Sequence, residues 1–204
     1  MDSKRLRTLL LAALVAAAPL CAQKKDIKPG KWVKMFNGKS IEASGWKANE
    51  NPEAWTVENG LLKGSGKVSH LFWMTEECED CEFKAEVKIA DGANSGMYFR
   101  TAFGPGFPKG YEAQVNATHR DPVKTGSLYN FHKNFESPSK PDEWFTQHII
   151  VQGNHIIIKV NDKVITDYVD EKNTFTKGYL ALQQHDPKST VWYRNLQFKK
   201  LAKK

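Results

Sequence analysis

From Trp32 onward, apolar and polar residues alternate in short runs separated by Gly, Asn and Pro, and no apolar stripe keeps a 3.6-residue spacing for more than a turn or two. Trp55-Thr56-Val57-Glu58 and Leu61-Leu62-Lys63 flank Asn59-Gly60, a pair suited to the positive φ angles of a two-residue hairpin turn. Phe83-Lys84-Ala85-Glu86-Val87-Lys88-Ile89 alternates apolar and charged positions. His148 to Val151 and Ile156 to Val160 flank Gly153-Asn154, and Asn161-Asp162 leads into Val164-Ile165-Thr166-Asp167-Tyr168. Further strands are predicted at Tyr179–Gln184 and Val191–Phe198. About a dozen short strands in one domain bury their apolar faces by stacking two sheets. The expected fold is all-β, a β-sandwich of two antiparallel sheets over residues 32–201, with a jelly roll as the leading version. Thr101–Gly110 and Lys133–Asp142 are rich in Gly or Pro and are expected as loops, the kind of segment that walls a binding site on a rigid scaffold.

The same alternation sorts polar side chains by face, because successive strand residues point to opposite sides. Where Met97 and Phe99 take the core, Tyr98 and Arg100 face away. Where Ala113 and Val115 take it, Glu112, Gln114 and Asn116 face away; where Leu180 and Leu182 take it, Gln183 and His185 do. A solvated sheet face favours Lys, Thr and Glu, and is usually polar for solubility alone. Arg, Gln, Asn and His beside aromatic residues instead suit sugar hydroxyls and ring faces, and Tyr98, Tyr129 and Trp144 are candidate stacking platforms.

The 204-residue chain is 40% hydrophobic and 26% charged, with Gly 14 and Pro 9, which excludes collagen-like, low-complexity and disordered classes. Its formal charge of +7 invites a nucleic-acid or anionic-surface reading. Lys4, Arg5 and Arg7, however, precede an apolar run from Leu9 to Leu20 and small residues to Ala22. This is the layout of a secretory signal peptide over residues 1–22, and the run is too short to span a bilayer. Cleavage after Ala22 would export the chain to the periplasm or the extracellular space. Leu20 is bulky for a lipoprotein signal, so lipid anchoring through Cys21 is the lesser reading. Removing the leader lowers the net charge by two, and Lys199, Lys200, Lys203 and Lys204, expected as a solvated cluster beyond the last strand, hold most of the rest. Residues 23–31 read as an extension and 202–204 as a basic tail, while the near-neutral body implies no nucleic-acid partner and no transmembrane segment.

Cys78 and Cys81 stand in Glu-Cys-Glu-Asp-Cys-Glu. A zinc site would need a second ligand pair, and the flanking acids would raise a thiolate pKa, against a redox motif. A local disulfide is expected.

Several segments resemble the 3-keto-disaccharide hydrolase family, allied in fold to concanavalin-like glycoside hydrolases and lectins. They are Phe36-Asn37-Gly38-Lys39 with Gly45-Trp46, Trp55 to Gly60, Asn94-Ser95-Gly96 to Arg100, Gly110 to Gln114, Thr125 to Tyr129, Glu143-Trp144, Leu182-Gln183-Gln184-His185 and Arg194-Asn195. They run in the family's order across residues 32–201; one departure is Asn116, where many members carry Asp. The resemblance implies a concanavalin-like sandwich acting on 3-keto-glycosides, and a separate oxidoreductase that oxidises the sugar at C3.

A glycosidase that displaces the leaving group directly needs two carboxyl groups flanking the scissile bond. The strand Glu112–Asn116 offers one. A 3-keto sugar changes the requirement, since its carbonyl acidifies the C2 hydrogen: a base takes that proton, the C1 substituent leaves by β-elimination, and water adds to the enone. Glu112 or His185 is the expected base and Arg100 the clamp on the enolate oxygen or on a hydroxyl. Gln114, Asn116 and Gln183 would hold hydroxyls, and Tyr129 or His119 would supply a proton. A divalent metal bridging the ketone and the C2 hydroxyl would do the clamp's work, with His185, Glu112 and His119 as ligands, although no spacing establishes such a site. The rival is a non-catalytic carbohydrate-binding module, which uses the same aromatic and amide side chains without a base.

Overall fold

A computed structural model describes residues 27–203, so the segment expected as a signal peptide, Cys21 with it, and the start of the expected extension lie outside the described residues. Thirteen strands follow one another: β1 Trp32–Lys34, β2 Trp46–Ala48, β3 Trp55–Glu58, β4 Leu61–Ser65, β5 Ser69–Cys78, β6 Cys81–Ile89, β7 Ser95–Thr101, β8 Tyr111–Val115, β9 Phe145–Gln152, β10 His155–Val160, β11 Lys163–Val169, β12 Gly178–Gln184 and β13 Thr190–Lys200. The larger sheet runs β11-β10-β9-β6-β13-β4-β3, with β1 also pairing β13, and the smaller runs β2-β5-β12-β7-β8. Every strand pair is antiparallel, as the alternation requires, and the whole is a jelly-roll sandwich.

Local turn chemistry sets the hairpins. Asn59 (φ 51°) and Gly60 (φ 79°) join β3 to β4, and Asn161 (φ 47°) and Asp162 (φ 65°) join β10 to β11, the two consecutive positive φ angles that match strand twist. Between the sheets lies one apolar cluster: Phe83, Val87, Ile149, Ile158, Tyr193 and Phe198 from the larger sheet meet Leu71, Trp73, Met97, Phe99, Val115, Leu180 and Leu182 from the smaller. Each such side chain, fully buried, contributes about 1.5–3 kcal/mol. Cys78 and Cys81 are disulfide-bonded across the β5–β6 turn, with an S–S distance of 2.06 Å.

Lys199 and Lys200 belong to β13 and not to a tail, and they pair with Glu82 and Glu76. Their charges are therefore partly neutralised on the sheet, which further weakens an anionic-polymer reading. No helix among the described residues is long and apolar enough to cross a membrane.

Candidate functional site

On the face of the smaller sheet turned away from the core, strand register sets a row: Lys47 on β2, Phe72 on β5, Ala181 on β12, Tyr98 on β7 and Glu112 on β8 stand opposite one another in turn. A second row sets His70 opposite Gln183 and Gly96 opposite Gln114. Gly96 has a steric reason to be glycine, since a Cβ there would lie 2.2 Å from Glu112 Oε1. The Glu112 carboxyl lies across that gap and accepts the Tyr98 hydroxyl proton at 2.7 Å. Gln183 Nε2 donates to the Tyr98 oxygen at 3.0 Å and lies 3.4 Å from His70 Nε2. With its amide turned so that both ends are satisfied, Gln114 donates to Glu112 Oε1 at 3.2 Å and to the Ser95 carbonyl at 3.0 Å.

Burial pushes the Glu112 carboxyl up to about 8, with Asp121 adding to the rise and the Tyr98 hydrogen bond opposing it. Near neutral pH it is therefore a proton donor. Burial, reinforced by His185, lowers His70 to about 4 and leaves it neutral. Tyr98 is driven well above the ordinary tyrosine value by burial and by Glu112, so its hydroxyl keeps its proton.

Past the end of β12, His185 Nδ1 lies 2.8 Å from Asp186 Oδ2. Burial alone would raise the Asp186 pKa, but His185 and the backbone N–H of Lys188 outweigh it, and the carboxylate stays below its ordinary value. A histidine that donates from Nδ1 to a carboxylate presents Nε2 as a base. His119 packs 5.7 Å from the His185 ring, centroid to centroid. The Asp121 N–H donates to His119 Nδ1 at 3.1 Å, so the ring proton resides on Nε2. Burial and then His185 depress the His119 pKa, keeping it a neutral N–H donor.

Two depressions adjoin this face. One of about 470 Å³ is lined by His119, Arg120, His185, Asp186 and Lys188. The other, of about 440 Å³, is lined by Tyr98, Phe107, Glu112, Tyr129, Phe131 and Phe175. Phe107 lines the second, its ring 5.2 Å from His70 and 6.2 Å from His185, which lines the first. The three ligands considered for a cation do not converge, and among the described residues no three His, Cys, Asp or Glu side chains are grouped to hold a metal ion.

The family model for the 3-keto-alpha-glucoside-1,2-lyase-like domain matches residues 31–199. The chain belongs to that family. Two provisionally assigned glycosyl hydrolases from Parabacteroides distasonis share the fold: one is 25% identical, with a TM-score of 0.68 over 84% of this chain and 100% of its own. The other is 22% identical, with a TM-score of 0.72 over 84% and 94%. A carbohydrate binding module from Bacillus subtilis is 18% identical, with a TM-score of 0.59 over 76% and 96%. No curated protein matches. The lyase-like family match is thus joined by a shared sandwich fold in these neighbours.

Within this lyase-like domain the structure brings together Glu112, Gln114, Tyr98 and Gln183 on the sheet, Tyr129 at its edge, and His119 with His185 beyond the strand ends. Tyr98, expected as a stacking platform, is instead buried at 4% exposure and serves Glu112 and Gln183 through its hydroxyl. Three expected residues are placed elsewhere. Arg100 does not reach the outward face of the smaller sheet. It has φ 52°, and the β7–β12 register skips a residue beside it, so alternation fails there. Its buried guanidinium donates to the carbonyls of Glu79 (2.8 Å), Phe175 (3.0 Å) and Gly153 (2.7 Å), tying three turns together. Trp144 lies on the outer face of the larger sheet, 4.2 Å from the Arg194 guanidinium and 5.6 Å from Lys88 Nζ. Asn116 is fully buried and donates both Nδ2 hydrogens, to the carbonyls of Asp121 (2.9 Å) and Val123 (2.8 Å), while accepting from the His119 N–H. It is a positioning residue for the loop that carries His119 and Asp121, and a carboxylate could not make its two donations.

His70, Gly96, Phe107, Asp121 and Asp186 were missed from the sequence. Asp186 directly follows His185, a pairing visible in the chain; His70 needed the β5–β12 register to bring it beside Gln183.

Proposed function

We propose that this chain is an exported enzyme that cleaves 3-keto-glycosides by elimination followed by hydration. The observation that carries the reading is a carboxyl kept protonated up to about 8 beside a depression that adjoins an Asp-oriented histidine. His185 Nε2 removes the proton from C2, and the C2–H electron pair makes the enolate of the C3 ketone. His119, a neutral Nε2–H donor in the same depression, meets the developing charge on the C3 oxygen, the task that Arg100 is not placed to perform. The enolate re-forms the ketone as a C1=C2 bond is made and the C1–O bond breaks. Glu112 gives its proton to the departing oxygen, which leaves as an alcohol. Water then adds to C1 while C2 regains a proton, so the sum is hydrolysis with no net redox change. Asp186 orients His185 and stabilises its imidazolium, and Gln114, Tyr98 and Gly96 position the Glu112 carboxyl. A sugar C3 oxidoreductase would supply the substrate.

The likeness to a carbohydrate binding module supports a second reading, binding without turnover. Incubating the protein with a 3-keto-glucoside, with and without added divalent metal, and following release of the aglycone separates the two. Sugar binding that persists with no aglycone released under either condition would decide for the module.

A further inference from the structure

Resting on that reading, we infer that the depression beside Glu112 is the leaving-group subsite and that it takes an aromatic aglycone in preference to a second sugar. The order of groups places it: His119 and His185, assigned to the C3 oxygen and C2, share one depression, and Glu112, assigned to the C1 oxygen, lines the other. A group departing from C1 with the Glu112 proton therefore lies in the second.

The walls of that subsite are ring surfaces. Phe131 and Phe175 stand edge-on to the buried Tyr111 ring at 5.2 and 5.0 Å, which fixes both. Phe107 borders the side toward His185, on a loop that Asn49 Nδ2 holds through the carbonyls of Gly104 and Gly106, each at 3.0 Å. The hydroxyls of its two tyrosines are already engaged. The Tyr98 hydroxyl donates to Glu112 and accepts from Gln183, and the Tyr129 hydroxyl donates to Asp121 at 3.0 Å. The other polar residues of its lining, Lys109, Asn130 and Thr174, are exposed.

A second pyranose carries hydroxyls around its rim, and those turned toward Phe107, Phe131 and Phe175 would lose water without gaining a partner. An aromatic ring needs no such partners and packs edge or face against several walls at once. The keto sugar itself is assigned to the first depression, where His119 and His185 stand with Arg120 and Asp186.

The test compares kcat/KM for benzyl 3-keto-glucoside with that for a 3-keto disaccharide; the benzyl leaving oxygen is an ordinary alcohol, so preference reports the subsite and not a better leaving group. In parallel, benzyl alcohol and glucose are titrated into the protein and followed by NMR, which needs no turnover. The wild type is expected to favour the benzyl substrate by about tenfold or more, and Phe107→Ala and Phe131→Leu to cut that preference to about threefold or less. Benzyl alcohol should shift resonances of Tyr129 and Phe175 at concentrations where glucose does not. Equal kcat/KM for the two substrates, or no response to benzyl alcohol, overturns the inference. Shifts with benzyl alcohol and no turnover of either substrate would uphold the subsite and sink the reaction.

Discussion

Replacing Glu112 with Gln removes the ionisable group while keeping its shape in the space left by Gly96 and its bond from Tyr98. In the unfolded wild type the carboxyl titrates at its ordinary 4.5, whereas folding moves it up to about 8. Between those values the folded protein holds a proton that the unfolded chain has released. Stability therefore falls as pH rises through this window, and the loss is complete once Glu112 ionises in the folded state. A separation this wide has a ceiling of about 5 kcal/mol. Glu112 keeps some contact with solvent, and screening brings the expectation to about 2–3 kcal/mol. The Gln variant escapes that loss. Thermal melts between about pH 5 and 9 should show the variant's midpoint pulling ahead of the wild type's by about 5–10 °C as pH rises. At the same time, its turnover of a 3-keto-glucoside should fall by about 10²-fold or more. A gap between the two melting curves that stays constant with pH would refute the buried-proton argument, and wild-type turnover by the variant would remove Glu112 as the acid.

Asp186→Asn should lower kcat by about 10–10²-fold with little change in KM, because the amide cannot stabilise the His185 imidazolium; an unchanged kcat would detach His185 from the role of base. Arg100→Met should destabilise the fold by about 3–5 kcal/mol, measured by denaturant unfolding, since three carbonyls lose their buried donor; an unchanged midpoint would contradict its place in the structure. Trp144→Ala, on the opposite sheet, should leave kcat/KM within about twofold of wild type, and a larger loss would return that residue to the site. Asn116→Asp should cost about 1–3 kcal/mol and speed amide exchange over residues 117–125, because the carboxylate cannot donate to Asp121 and Val123; exchange at the wild-type rate would count against the loop-holding role.

The sandwich could be read from the chain because strand alternation and turn residues are local properties. Asn59-Gly60 and Asn161-Asp162 adopt positive φ by their own chemistry, and Phe83 to Ile89 alternates whatever its neighbours are. Face parity likewise carried Tyr98, Glu112, Gln114 and Gln183 to one surface. It failed at Arg100, where a single left-handed residue breaks the period of two, and at Asn116, one residue past the end of β8, where the side chain turns into a loop. Trp144 lies just before β9, and its side was decided by which sheet that strand joins.

What the sequence determined by itself was the strand content, the stacked-sheet class, the local disulfide and most of the polar residues of the site. The tertiary structure alone decided that Gly96 makes room for Glu112, that His70 stands beside Gln183, that Phe107 packs near both His70 and His185, and that the carboxyl is held protonated. The division has a physical cause. Backbone conformation and face are set by residues one or two positions apart, whereas desolvation, register and the approach of loops depend on strands brought together from distant parts of the chain.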